Sequence, residues 1–271
     1  MRINMIIGTK EFDVKNRTHI MGILNVTPDS FSDGGKYNRF DNALKHVENM
    51  ITDGADMIDV GGESTRPNYQ LISDSEEIER VAPVIEAIKK NFDIPISLDT
   101  YKSQVALAGI KAGVDLINDI WGLKYDEKMA SVIAQHKVAC CLMHNRDNMN
   151  YKDFMKDVAM DLEESLDIAE KSGIPQDKII LDPGVGFAKS YEMNLEIIRN
   201  LEQLHMFNLP ILLGTSRKSV IGLTLNLPAD QRLEGTLSTT VIGVIKRCSF
   251  VRVHDVLENS RAIKMTEAIF R

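Results

Sequence analysis

Short apolar runs that alternate with amphipathic segments, about eight times along the chain, predict an α/β fold: a (β/α)8 TIM barrel with a short N-terminal β-hairpin. Two further observations support this. The phrase Gly54-Ala55-Asp56-Met57-Ile58-Asp59 returns as Gly113-Val114-Asp115-Leu116-Ile117-Asn118, a weak internal repeat of one βα unit. The apolar runs also end in acids, amides or bases, as expected where the carboxyl ends of strands share one functional face. An open doubly wound sheet is the alternative topology, but no GxGxxG follows the first strand.

At 271 residues, 44% hydrophobic and 26% charged, with mean hydropathy −0.14, the chain can bury a full core. We expect one domain over residues 1–271, with 1–18 as the hairpin extension, because no Pro, Ser or Gly-rich linker interrupts it. The longest apolar runs fall short of a membrane span, and the first residues lack the pattern of a secretory signal, so the expected location is the cytoplasm, with no membrane partner. A net charge of −7 argues against nonspecific binding to nucleic acid. Cys140, Cys141 and Cys248 have neither disulfide nor zinc spacing and read as reduced core thiols.

In order, residues 3–14 read as a hairpin turning near Gly8-Thr9. Residues 20–25 are an apolar strand closing on Asn25. It feeds a loop of Thr27, Pro28, Asp29, Ser30, Ser32, Asp33 and two glycines, more hydrogen-bonding groups than a connector needs. Ala43, Leu44, Val47, Met50 and Ile51 repeat at helical spacing until Gly54, and residues 57–60 form a strand. Ser73 and Glu76 make a capping box before the stripe Ile78, Val81, Ala82, Ile85 and Ile88. Strand 95–99, helix 101–112 and strand 116–119 follow. The alternation continues through strand 138–143, helix 152–172, strand 178–182, helix 192–205, strand 210–213, helix 232–247, strand 250–253 and helix 255–270.

The strand ends sort by chemistry. Asp99, Asn118 and Asp182 present carboxylate and amide groups that pair with the edge of a small heterocycle, and Lys218 can meet a ring carbonyl. Asn25, Thr65, Arg66, Arg252 and His254 form a donor-rich set for phosphate oxygens, supported by Gly61-Gly62. Phe31, Pro67, Phe187 and the stem of Lys218 suit a flat aromatic partner. Each has a plainer reading. A polar strand end is commonly a helix cap, Lys218 is also placed for Schiff-base chemistry, with Arg217 beside it as another anion donor, and His254 and His144 could be capping or packed. His19, His46, His136 and His205 read as structural, and Trp121 as a cover for the Asn118 strand end. No zinc cluster is apparent, so any metal should be Mg²⁺ held chiefly by phosphate oxygens.

Together NVTPDSFSDGG (25–35), GGESTRP (61–67), SLDT (97–100), IND (117–119), MHN (143–145), LDPGVGF (181–187), TSRKS (215–219) and RVHDV (252–256) resemble the bacterial dihydropteroate synthases, in order and over nearly the whole chain from Ile20. The resemblance implies a pterin-binding barrel, usually a homodimer, that joins 7,8-dihydropterin-6-ylmethyl diphosphate to 4-aminobenzoate in folate synthesis, with sulfonamides competing for the aminobenzoate subsite. It implies catalytic roles for Asp99, Lys218, Arg252 and His254. Pterin contacts would come from Asp99, Asn118, Asp182, Lys218, Met143, Ile120 and Gly214, and diphosphate contacts from Asn25, Thr65, Arg66, Arg252 and His254. Asn25 would also touch Mg²⁺, and Phe31, Pro67, Phe187, Lys218 and Ser219 would border the aminobenzoate. Asn68 and Ala188 depart from the family pattern, which often has glycine at both places.

An aromatic amine is already nucleophilic at pH 7, so the expected chemistry is a dissociative substitution that needs an anion clamp more than a base, with loops 26–37 and 63–72 excluding water. A corrinoid-dependent methyltransferase and a noncatalytic pterin-binding subunit are the rival readings. The first would leave the SRK and RVHD elements without a diphosphate to bind, and the second would bind ligand without releasing diphosphate.

Overall fold

The computed structural model describes residues 4–26, 36–63 and 71–271. A two-stranded antiparallel hairpin, β1 (Asn4–Ile7) and β2 (Lys10–Asp13), turns at Gly8-Thr9. Eight parallel strands then alternate with helices: β3 (His19–Asn25), α1 (Lys36–Asp53), β4 (Met57–Gly61), α2 (Asp74–Asn91), β5 (Ile96–Asp99), α3 (Ser103–Ala112), β6 (Leu116–Asp119), α4 (Met129–His136) and β7 (Ala139–Met143). The second half continues with α5 (Phe154–Lys171), β8 (Ile179–Asp182), α6 (Tyr191–Arg199), β9 (Leu212–Leu213), α7 (Ser219–Leu225), α8 (Leu233–Ile245), β10 (Phe250–Val253) and α9 (Val256–Phe270).

The strands pair in the order β8-β7-β6-β5-β4-β3-β10-β9, and a parallel bridge between Leu181 and Ile211 joins the two ends into a barrel. The doubly wound alternative is thereby set aside. Residues that alternate along each strand face opposite ways. Ile20, Leu24, Ile58, Val60, Leu98, Ile117, Leu142, Leu181 and Val251 point outward into one large core with the helices. Met21, Met57, Leu116, Cys141, Ile180, Leu212 and Phe250 point inward and fill the amino-terminal end of the barrel. The hairpin closes that end, with Met5, Ile7, Phe12 and Val14 packed onto the same inward layer.

Several bounds differ from the periodic expectation. The helix expected over 192–205 stops at Arg199, and Leu201–Phe207 tightens into a 3-10 turn. The strand expected over 210–213 is only Leu212–Leu213, beside the Ile211 bridge. Helices α4 and α7 have no counterpart in the expected bounds, being only 8 and 7 residues long, too short for a periodic stripe to stand out. The capping box forms by half: Ser73 Oγ accepts from Glu76 N–H at 3.2 Å, while the Glu76 carboxylate turns to Arg80. All three cysteines are buried free thiols, as expected, with burial pushing Cys248 up to about 12 and the others higher. Among the described residues no helix is long and apolar enough to cross a membrane.

Candidate functional site

Above the apolar plug, the inward positions of the strands turn polar. Asp59 of β4 is fully buried, and its carboxylate accepts from Ser97 Oγ at 2.5 Å, from Arg252 Nε at 2.6 Å and, at 3.5 Å, from Asn118 Nδ2. The other arm of the Arg252 guanidinium donates to Asp99 Oδ2 at 2.7 Å. One arginine from β10 thus spans carboxylates from β4 and β5. Burial opposes its charge, but Asp59 and Asp99 more than restore it and hold its pKa above the ordinary arginine value. Asp99 moves the other way: burial pushes it up to about 7, Arg252 opposes this, and Asp59 adds to it. Asp99 Oδ1 is buried with no hydrogen-bond partner among the described residues, so the site presents an unsatisfied acceptor.

Asp182, Lys218 and Arg252 converge around Gly214. A Cβ on that glycine would stand 3.6 Å from Asp182 Oδ2, 3.7 Å from Lys218 Nζ and 3.9 Å from Arg252 Cβ, in van der Waals contact with all three. Asp182 Oδ1 is fixed by the Gly184 N–H at 2.7 Å. Burial raises the Asp182 pKa, with Lys218 opposing, and burial lowers Lys218 to about 8, with Asp182 opposing. Lys218 Nζ donates to the Val185 carbonyl at 2.5 Å and lies 4.8 Å from the centre of the Phe187 ring. Tyr101, Ile120 and Met143 form a small apolar cluster with Trp121 and Phe187 packed against it, a flat wall beside these charges.

On the other side of the rim, Asn25 Oδ1 and Asp99 Cβ both lie 3.7 Å from where a Cβ would stand on Gly61. The Ser216 hydroxyl meets His254 twice, at Nδ1 (2.9 Å) and at the backbone N–H (3.2 Å), orienting the ring. Arg217, expected to serve as an anion donor beside Lys218, is committed instead to a two-pronged pair with Asp255, at 3.1 Å and 2.5 Å. Ser219 is exposed at the first turn of α7. Phe31, Thr65, Arg66, Pro67 and Asn68 lie outside the described residues, as do most of the loops expected over 26–37 and 63–72.

The structure therefore brings Asn25, Asp99, Asn118, Ile120, Met143, Asp182, Phe187, Gly214, Lys218, Arg252 and His254 to one end of the barrel. Asp59, Ser97 and Ser216 belong to the same assembly, although the sequence, which places each in a repeated or recognisable motif, assigned them no role. The available signal was period-two spacing: Asp59 lies two residues from Met57 and from Gly61, and so faces inward with them.

The Asn25 side-chain oxygen at the rim is a hard donor of the kind that would complete a small divalent cation held mainly by phosphate oxygens of a substrate. Mg²⁺ suits that description.

The family model described as pterin binding enzyme matches residues 21–254. A dihydropteroate synthase of Clostridium beijerinckii is 62% identical over 98% of this chain and 100% of its own length. Among solved structures, the dihydropteroate synthase of Clostridium difficile in the presence of pteroic acid superimposes with TM-score 0.94 at 52% identity, covering 96% of this chain and 99% of that one. The enzyme of Xanthomonas albilineans with 4-aminobenzoic acid gives TM-score 0.93 at 34% identity over 99% and 98% of the two chains.

Proposed function

The chain belongs to the pterin-binding enzyme family, among its dihydropteroate synthases, and we infer that it condenses (7,8-dihydropterin-6-yl)methyl diphosphate with 4-aminobenzoate to give 7,8-dihydropteroate and diphosphate. The observation that carries this reading is the convergence of Asp182, Lys218 and Arg252 on Gly214, with Asp99 joined to Arg252. Carboxylates for a ring edge and a cation for a leaving group thereby meet in one place.

Asp182 and Asn118 take the N–H edge of the pterin, and Lys218 meets its carbonyl oxygen. Tyr101, Ile120 and Met143 cover the ring faces. Arg252, His254 and Asn25, with Thr65 and Arg66 from the adjoining loop, receive the diphosphate. Asn25 would hold Mg²⁺ together with diphosphate oxygens, and the ion would neutralise charge as the leaving group departs. Arg252 stays cationic between its two carboxylates and stabilises the same charge from the protein side. The unsatisfied oxygen of Asp99 stabilises positive charge on the exocyclic methylene carbon as the C–O bond opens. The neutral aromatic amine, lying against Phe187 and the Lys218 stem with Phe31, Pro67 and Ser219 at the border, attacks that carbon and loses its proton to water.

The test is diphosphate release from the pterin diphosphate with and without 4-aminobenzoate. Stoichiometric dihydropteroate and diphosphate should appear with the amine. Binding without either product would make the protein a noncatalytic pterin carrier. A chelator should suppress turnover and added Mg²⁺ restore it, whereas turnover indifferent to both would remove the metal from the scheme.

The active unit is a homodimer. Support comes from the outer surface of α7, α8 and α9, where Leu223, Ile242, Ile245, Met265 and Ile269 are exposed. Sedimentation should give twice the 30.4 kDa chain mass, and Leu223→Glu should shift it toward the monomer; a monomeric parent protein would overturn this.

A further inference from the structure

A buried lysine that takes no part in the chemistry above lies against the inner side of the loop after β8. Lys189 is 8% exposed, and its Nζ donates to the carbonyls of Gly184 at 2.9 Å and Phe187 at 3.0 Å. Its third neighbour is His144 Nδ1, at 2.8 Å. Burial lowers the Lys189 pKa to about 7, with Asp182 opposing; in its ammonium form the group has donors only, and Nδ1 is then the acceptor. The His144 proton then sits on Nε2, which donates to Asp161 Oδ2 at 2.9 Å. A neutral ring agrees with the His144 environment, where burial lowers the pKa to about 4 against the opposing bond to Asp161. Nζ thus has three partners within 3.0 Å, and in the ammonium form each of its hydrogens has an acceptor.

The loop so held is the one that carries the aromatic wall. Gly184 O also accepts from the Phe187 N–H, at 3.1 Å, and Val185 O accepts from Lys218 on the rim side. Carbonyls 184 and 187 thus face one amine and carbonyl 185 faces another, with the Phe187 ring 4.8 Å from Lys218 Nζ. Asp182 depends on Lys189 much less. Its backbone is paired with β7, opposite Met143 and accepting from the His144 N–H at 2.9 Å, and Gly184 is pinned by close packing, since a Cβ there would stand 1.9 Å from His144 O. A methionine would fill the lysine's space without burying a charge. What the ammonium adds is its grip on two carbonyls.

We propose that Lys189 is a positioning residue for the amine co-substrate, fixing the Phe187 ring against Lys218 by holding carbonyls 184 and 187. The inference rests on the reading above that Phe187 borders the 4-aminobenzoate subsite.

The experiment compares Lys189→Met, Phe187→Ala and the double variant by steady-state kinetics, with pterin diphosphate affinity measured by calorimetry. Lys189→Met should raise the KM for 4-aminobenzoate by about tenfold, the scale of a misplaced contact, and change pterin diphosphate affinity by less than about threefold. Added to Phe187→Ala, it should raise that KM no further. An unchanged amine KM, or equal losses for both substrates, would overturn the proposal. Should Lys189→Met not fold, Lys189→Leu, which likewise has no donors, carries the same comparison; failure of both to fold would assign the lysine to barrel stability and overturn the proposal too. If Phe187→Ala itself leaves the amine KM unchanged, the ring is not part of the amine subsite, and the inference falls with that reading.

Discussion

Arg252 shows how one side chain can serve both stability and chemistry. It sits between Asp59, which has no solvent contact, and Asp99, whose second oxygen is left for a ligand. Replacing it with alanine leaves two buried carboxylates facing each other. Arg252→Ala should therefore lower stability by about 3 kcal/mol, seen in urea unfolding, and lower turnover and diphosphate affinity together. Unchanged kinetics would remove it from the anion clamp. Asp99 adds a pH dependence with a definite sign. With its pKa raised to about 7, it is ionised above that pH and protonated below, so kcat/KM should fall about tenfold per unit as pH drops below 7. Asp99→Asn should flatten that limb at a lower overall rate. Ala188 carries a different lesson. It stands at φ +46°, in the left-handed region that favours glycine, with its carbonyl held by the Tyr151 hydroxyl at 2.9 Å. The sequence departure from a family glycine thus falls where a Cβ is strained, and Ala188→Gly should raise stability by about 1 kcal/mol in the same unfolding assay, relief of that strain outweighing the added freedom of the unfolded chain.

The elements were legible wherever apolar residues repeat over enough length, as in α2 and α5 with 18 residues each. Short elements were not: β9 has two residues and α7 seven, and their existence depends on what they pack against. The hairpin reads in sequence as an appendage, but the structure makes it the floor of the barrel. Phe12 is buried against Phe250 and His19, with ring centres 5.6 Å and 5.0 Å away. Phe12→Ala should cost about 3–5 kcal/mol in unfolding experiments while leaving kcat/KM near the parent value, because the plug and the site occupy opposite ends. A matching loss of activity in the folded variant would show the two ends to be coupled.

At the scale of the whole molecule, the ring of strands is thinnest where β8 meets β9. Strands β3 and β4 pair over five residues, whereas β8 and β9 meet through the Leu181–Ile211 bridge and the bond from Leu181 N–H to Pro210 O at 2.9 Å. Hydrogen exchange should therefore be faster over residues 208–214 than over 57–61; equal protection would mean that the barrel opens only as a unit. The order of strands and helices, the polarity of the strand ends and the chemistry of Asp99, Asn118, Asp182, Lys218 and Arg252 are local properties, written in spacing and residue type, and the sequence by itself determined them. The pairing of Arg252 with Asp59, the meeting of Lys189 with His144, the diversion of Arg217 to Asp255 and the hairpin's place under the barrel were decided only in three dimensions. Each joins groups far apart in the chain or on different strands, and which donor reaches which acceptor depends on barrel register and closure, which no local pattern encodes.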